Sequence, residues 1–324
     1  MKEKSLRFSV IIPCYNAAAT IERALDSLVG EDFVSWEVIC IDDCSKDNTI
    51  EVIERYKKQH ENNNIQLIRS KVNGGPGTSR NKGLAVAKGE YLCFLDADDY
   101  YDLSMFSVLD EIISKTKADI VFYGCNQIIG NTVRKRPVTP RNGIMDYMAL
   151  IGGSFWGGAW RHSLWQNIVI PSISNAEDIA VIPVLISRAK RIVAIDDLLY
   201  NYVHSNSSVS SRHHPQVSYN FVTSFQFTLQ NVDINKFHDS IEFHGIKTII
   251  YGATLNALKA GMSRKEIIEL WVEFEQTFPN WADNKYIVSY SRLKRYFVKL
   301  ASKRYFLMMR GFAWLHNKLL KTIG

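Results

Sequence analysis

The chain has 324 residues, 46% hydrophobic and 22% charged, with a net charge of +6. That length suits one large catalytic domain with a smaller appendage, and the composition excludes a disordered or fibrous protein. No run of about eighteen apolar residues occurs, MKEKSLRFSVIIP does not read as a signal peptide, and five cysteines without C-x-x-C spacing suit reduced thiols better than a disulfide frame or zinc site.

Phe8 to Ile12 reads as a buried strand ended by Pro13. Ile21, Ala24, Leu25 and Leu28 share a helical face, with Gly30 as the stop. Trp36 to Ile41 is a second strand, Asp42 to Ser45 a turn, Asn48 to His60 a helix and Ile65 to Ile68 a third strand. Gly74, Gly75 and Gly77 around Pro76 then form a tight turn. A helix is expected from Thr78 to Ala87, its N-terminal N–H groups facing an anion. Gly89 ends it, and Tyr91 to Leu95 is a strand leading into Asp96, Asp98 and Asp99. Carboxylates so close repel unless water or a cation shares them, and such oxygen ligands suit Mg2+ or Mn2+ bridging to a diphosphate. The alternative for an isolated D-x-D is a solvated turn with a helix cap.

Strand alternating with helix predicts an α/β fold, a parallel sheet flanked by helices on both faces. Ligands in such sheets lie beyond the strands' carboxyl ends, where Pro13, Tyr15, Asp42, Asp43, Asp96 and Asp98 all fall. No G-x-G-x-x-G follows the first strand and no G-x-x-x-x-G-K-[ST] occurs, which sets aside dinucleotide folds and P-loop NTPases. Further on, Leu103 to Thr116 reads as a helix, Ile120 to Gln127 as a strand and Gly130-Asn131 as a hairpin turn. Arg134 to Asn142 reads as a basic loop. GGSFWGGAWRHSLW, residues 152–165, suits either stacking on a sugar or a core corner. Glu177-Asp178 opens a helical pattern that Pro183 interrupts; Arg191 to Ile195 and Leu199 to Val203 are strands, and His204 follows them.

N-G-G-P-G-T-S-R-N-K-G-L-A-V-A-K-G-E-Y-L-C-F-L-D-A-D-D, with V-I-I-P-C-Y-N-A and V-I-C-I-D-D-C-S-K-D-N-T before it, resembles the signature of family 2 glycosyltransferases. These are inverting enzymes of GT-A fold that move a sugar from a nucleotide diphosphate to an acceptor hydroxyl. The resemblance is dense over residues 8–125, looser over 150–210 and absent beyond 215. It implies that Pro13, Tyr15 and Asp43 hold the nucleoside, Asp43 through the base, with Arg80 near the nucleotide. Asp96 falls near ribose or metal, Asp98 and His204 at the metal, and Asp178 becomes the catalytic base. Gly157 and Gly158 depart from the Lys or Asn common there. The implied donor is a UDP-sugar (hexosyl or N-acetylhexosaminyl), the cofactor Mn2+ or Mg2+, and the acceptor a carbohydrate or lipid-linked hydroxyl in cell-surface polysaccharide or glycolipid assembly. Without a Q-x-x-R-W signature, one sugar per encounter is expected. A nucleotidyltransferase is the rival enzyme, though P-C-Y-N-A lacks its Gly-rich, Lys-containing loop; a silent nucleotide-sugar- or lipid-binding scaffold is the rival outside catalysis.

The expected domains are residues 1–213, divided near 125 into nucleotide and acceptor halves, and a helical extension over 214–324 with helices at Phe237–Ala260 and Arg264–Phe278. Residues 284–324 hold ten Lys or Arg and no acidic residue, leaving 29 of the 39 basic residues against all 33 acidic ones elsewhere, a net of −4. With Leu293, Tyr296, Phe297 and Leu300 on one helical face, this tail fits an anionic membrane surface, which implies a cytoplasmic protein peripheral to the inner face of the membrane. No nucleic-acid recognition motif accompanies it.

Overall fold

The structure, a computed structural model, describes residues 6–29, 35–60, 64–204 and 213–323, so the expected stop at Gly30 lies outside the described residues. It divides into two compact units. One comprises Met1–Arg141, Gly153–Ser172 and Arg188–Ser205; the other comprises Asn142–Gly152, Ile173–Ser187 and Asn206–Gly324. Two segments of the expected acceptor half therefore cluster with the C-terminal helices.

In the first unit the elements run β1 (Phe8–Cys14), α1 (Ile21–Val29), β2 (Trp36–Asp42), α2 (Thr49–Gln59), β3 (Ile65–Arg69), α3 (Gly75–Leu84), β4 (Tyr91–Phe94), β5 (Tyr100–Tyr101), α4 (Met105–Thr116), β6 (Ile120–Ile129) and β7 (Thr132–Arg136). β8 (Gly158–Arg161) and β9 (Ile192–Val203) complete the sheet among the described residues, in the order β3-β2-β1-β4-β8-β6-β9-β5, with β7 paired to β6. β2 and β4 are buried along their whole length, as continuous apolar runs without alternation require of strands covered on both faces. The four strands from β3 to β4 are parallel. Beyond them β8 runs antiparallel between β4 and β6, β9 is parallel to β6, and β5 and β7 are antiparallel edges, so the sheet is mixed.

α3 lies directly on β1 and β2 because Gly83 lets it: a Cβ there would stand 2.6 Å from Ile11 Cγ2 and 3.0 Å from Ile41 Cδ1. Gly89 likewise lets the chain cross β1, where a Cβ would meet the Ser9 amide nitrogen at 2.4 Å. Several boundaries differ from expectation. β1 continues through Pro13 to Cys14, since the strand's pairing with β2 extends that far. α3 begins three residues early, with Pro76 in its first turn, where a missing N–H costs nothing. Arg134–Arg136 belong to a strand rather than a loop, held by their register with β6 (Cys125↔Arg136 to Ile129↔Thr132). The two strands expected near 191–203 are one, bent by irregular register between Phe122 and Cys125.

The second unit contains α5 (Ile144–Leu150), most of α6 (Glu177–Arg188), α7 (Pro215–Asn231), α8 (Ile234–Gly245), a π-helical stretch over Ile246–Ala253, α9 (Thr254–Lys259), α10 (Arg264–Thr277), α11 (Arg292–Ser302) and α12 (Phe306–Ile323). α10 starts with a full capping box, Ser263 and Glu266 exchanging side-chain and backbone bonds. The early segments are tied in by name: the Ser224 and Thr228 hydroxyls donate to the Ala176 and Ala180 carbonyls, the Ser240 hydroxyl to Met145, and Lys247 to Ile151. The tail helices are part of this core. Phe297, Leu300, Met309 and Ala313 are buried, and Phe306 stacks on Trp271 at 5.8 Å. The expected apolar face of α11 is therefore split, Phe297 and Leu300 turning inward while Leu293 (63%) and Tyr296 (46%) stay exposed.

Candidate active site

The carboxyl ends of β1 and β2 are knit together by short polar bonds. The Asp43 amide donates to the Cys14 carbonyl at 2.8 Å. Asn16, at a φ of 52°, takes an Asn-tolerated left-handed conformation, which lets its side-chain oxygen accept from the Lys46 amide while its own amide donates to Ser45. Tyr15 stands half-exposed beside this loop, and Pro13 lies within the strand. Asp43 is buried, and its carboxylate accepts from the Gly74 amide at 3.0 and 3.1 Å and from Gly75 at 2.7 Å. The amides expected to face a ligand's anion thus meet the protein's own carboxylate, which offsets the positive end of α3. Asp43 locks the glycine turn to the end of β2. Its neighbour Asp42, at the same strand end, has its Oδ1 buried without a hydrogen-bond partner among the described residues.

The acidic turn follows β4. Arg80, buried on α3, reaches from below to bind Asp96 Oδ1 at 2.8 Å and lies 5.5 Å over the Phe155 ring. Asp98 stands at the solvent side of the turn, and its carbonyl accepts from Arg23 of α1. The Asp98 pKa is raised above the usual carboxylate range, first by shielding of its carboxyl from water and then by the charge of Asp96. Asp99 points the other way, into the sheet. Its oxygens accept from the Tyr200 hydroxyl at 2.6 Å and the Val203 amide at 2.7 Å. Burial and then the Asp96 charge push its pKa up to about 8, against those two bonds.

Among the described residues no three His, Cys, Asp or Glu side chains converge as metal ligands. His204 is accordingly not gathered with Asp98 into such a set; its amide donates to the Ile128 carbonyl and its ring meets Tyr202 edge-on at 5.0 Å. Asp96 and Asp98 remain as two mutually repelling carboxylates. That donor set fits a divalent cation completed by phosphate oxygens, since Mg2+ is usually held by one or two carboxylates plus substrate. The aromatic segment divides between its two readings. Phe155, Trp160 and Trp165 are buried, packing with Phe94 and Phe122, whereas Trp156 is half-exposed and stacks on Tyr200 at 4.5 Å. Asp178 belongs to the second unit, in the first turn of α6, with its carboxylate accepting from the Ile179 amide at 2.8 Å. The helix runs on through Pro183.

Comparison with known proteins adds a family likeness. The family described as Glycosyl transferase family 2 matches residues 9–164. The poly(ribitol-phosphate) beta-glucosyltransferase of Bacillus spizizenii is 43% identical over 98 residues, 29% of this chain and 15% of that protein. The poly(ribitol-phosphate) beta-N-acetylglucosaminyltransferase TarS of Staphylococcus aureus is 34% identical over 131 residues, 40% of this chain and 22% of its own length. The chain thus matches about a fifth or less of these curated relatives. Among solved structures, S. aureus TarS 1–349 in complex with UDP-GlcNAc has a TM-score of 0.76 at 21% identity, over 97% of this chain and 92% of that one. The Pyrobaculum calidifontis mannosyltransferase PcManGT in complex with GDP-Man and Mn2+ has a TM-score of 0.56 at 15% identity, covering 96% and 86%. The residues 9–164 that match glycosyl transferase family 2 hold the strand ends, the glycine turn and the acidic turn, and the chain has the GT-A fold.

Proposed function

We propose that this chain is an inverting glycosyltransferase that moves a single sugar from a UDP-sugar to a hydroxyl of a cell-surface polysaccharide, with poly(ribitol phosphate) as the first acceptor to test. The observation that carries it is the gathering of Asp43, the glycine turn, Arg80, Asp96 and Asp98 at the carboxyl ends of neighbouring parallel strands. The acceptor chemistry and the donor are suggested by relatives named for poly(ribitol phosphate) and by the UDP-GlcNAc complex of TarS.

In this mechanism Pro13, Tyr15 and the Asp43-braced loop receive the nucleoside, and Arg80 holds Asp96 in place beside the diphosphate. Asp96 and Asp98 would hold Mn2+ or Mg2+, which supplies charge neutralisation for the departing diphosphate; His204 is a further candidate ligand. Asp178 takes the acceptor hydroxyl's proton as the oxygen attacks the anomeric carbon from the side opposite UDP, which inverts that centre in one step. The exposed Arg292, Arg295 and Lys299 of α11, with Lys303 at its C-cap, would favour an anionic membrane surface on the cytoplasmic side. No described helix is long and apolar enough to cross a membrane.

The test is UDP release from UDP-GlcNAc and UDP-glucose, with and without poly(ribitol phosphate). Acceptor-stimulated UDP release with a β-linked product supports the proposal. Pyrophosphate as the product would mean a nucleotidyltransferase, and UDP-sugar binding without turnover on any acceptor a scaffold.

A further inference from the structure

The acidic turn is bound from behind by one atom. The Tyr200 hydroxyl, fully buried on β9, accepts from the Asp96 amide at 3.3 Å and donates to Asp99 Oδ2 at 2.6 Å. These are the first and last residues of the turn, and the Asp99 amide closes it on the Asp96 carbonyl at 3.0 Å. The second oxygen of Asp99 is fixed three residues along the same strand, by the Val203 amide. β9 continues the grip past the turn, pairing Tyr200 with Tyr101 and Asn201 with Tyr100. The tyrosine ring is itself immobilised, stacked on Trp156 at 4.5 Å and edge-on to Tyr101 at 5.7 Å. The front of the turn carries Asp98 towards solvent, and Arg80 binds Asp96 from α3.

We infer that Tyr200 is a positioning residue: its hydroxyl pins both ends of the Asp96–Asp99 turn, so that the Asp96 and Asp98 carboxylates are presented together to a divalent cation and a diphosphate. The physical case is preorganisation. Two carboxylates that repel each other will spread if the backbone joining them can relax, and a spread pair makes a poorer site for a small cation with strict geometry. Tyr200 never touches the ligand; it sets the shape of the backbone that does. Groups that orient metal ligands in this way are typically worth about 10–100-fold in metal affinity. This inference rests on the reading of Asp96 and Asp98 as the metal-diphosphate pair.

The variant is Tyr200→Phe, which deletes one oxygen and keeps the ring between Trp156 and Tyr101. The control is Tyr101→Phe, which deletes an equally buried hydroxyl, bonded to the Phe94 carbonyl at 2.9 Å, without touching the turn. Mn2+ binding in the presence of UDP is followed by electron paramagnetic resonance, and amide hydrogen exchange is followed over residues 92–99. Tyr200→Phe is expected to weaken Mn2+ binding by roughly tenfold and to speed exchange at Asp96 and Asp99, while Tyr101→Phe does neither. Mn2+ binding and exchange at wild-type levels in Tyr200→Phe would overturn the inference, as would an equal loss in Tyr101→Phe, which would make the effect one of general stability. If the wild-type protein takes up no Mn2+ with UDP, the metal assignment itself fails; the exchange measurement then still decides whether Tyr200 pins the turn.

Discussion

In the proposed mechanism single residues carry the chemistry, and two of them can be tested independently. Asp98→Ala removes the exposed carboxylate of the acidic turn and leaves the leaving diphosphate uncompensated, a loss of about 3–4 kcal/mol in the transition state for a group of this kind. Transfer and metal-dependent UDP binding should fall together, and full activity in excess chelator would defeat the assignment. Asp178→Asn should keep UDP-sugar binding yet lose roughly a hundredfold or more in turnover; a parallel loss of donor affinity would make Asp178 a binding residue instead. His244, which has no part in that mechanism, gives a pH test. It is fully buried, its Nε2 has no partner among the described residues, and burial first and Lys247 second lower its pKa from 6.5 to about 3. The folded state thus keeps His244 neutral where the unfolded chain binds a proton, so this contribution is intact above pH 6.5 and is lost as pH falls towards 3. The loss steepens to at most about 1.4 kcal/mol per pH unit. Urea unfolding at pH 7.5 and 5.5 should show a smaller pH difference in His244→Gln than in wild type; equal differences would be evidence against the assignment. The acidic residues at strand ends were legible in the sequence because their types and spacing are local. Tyr200 was not, since 104 residues separate it from Asp96 and a tyrosine in a strand reads only as core.

At the scale of elements, the parallel half of the sheet could be read from apolar runs punctuated by Pro, Gly and Asp, because β1, β2 and β3 are each followed by a helix. The mixed half could not. β8 enters between β4 and β6 from an aromatic segment with no strand periodicity, and the pairing of exposed Thr132–Arg136 depends on a partner strand rather than on composition. α3 shows where a helix start is set by tertiary contact: Asp43 satisfies the Gly74 and Gly75 amides, so the helix begins inside the glycine turn. Its fit on the sheet yields a fourth prediction. Gly83→Ala would improve intrinsic helix propensity by up to about 1 kcal/mol, but it forces Ile11 and Ile41 apart, at a cost of typically about 1–3 kcal/mol. Thermal unfolding should show a lowered midpoint, and a raised one would mean that α3 is not held as close to β1 and β2 as Gly83 allows.

Across the whole molecule, the charge split and the packing of the tail have to be considered together. Because Phe297, Leu300 and Met309 belong to the core of the second unit, cutting the chain after Asp283 would damage that core as well as remove charge. The membrane proposal is better tested by replacing Arg292, Arg295, Lys299 and Lys303 with Gln. Near an anionic leaflet each such charge contributes about 1 kcal/mol, so liposome co-sedimentation should weaken by orders of magnitude with anionic lipid while the unfolding midpoint stays put. Unchanged sedimentation, or equal binding to neutral liposomes in the wild type, would reject the surface.

The interleaving of the two units has a consequence in time. Ile173–Ser187 are synthesised before β9 completes the sheet, yet their partners Ser224 and Thr228, and the helices through α12, come later. At about 5–20 residues per second, the Ala176 and Ala180 carbonyls wait several seconds on the ribosome for the Ser224 and Thr228 hydroxyls that bond them. During that interval the start of α6 lacks its α7 hydrogen-bond partners, which makes the nascent chain a natural client for a chaperone. Slowing synthesis between residues 188 and 230 should therefore lower the yield of native enzyme even though no amino acid has changed.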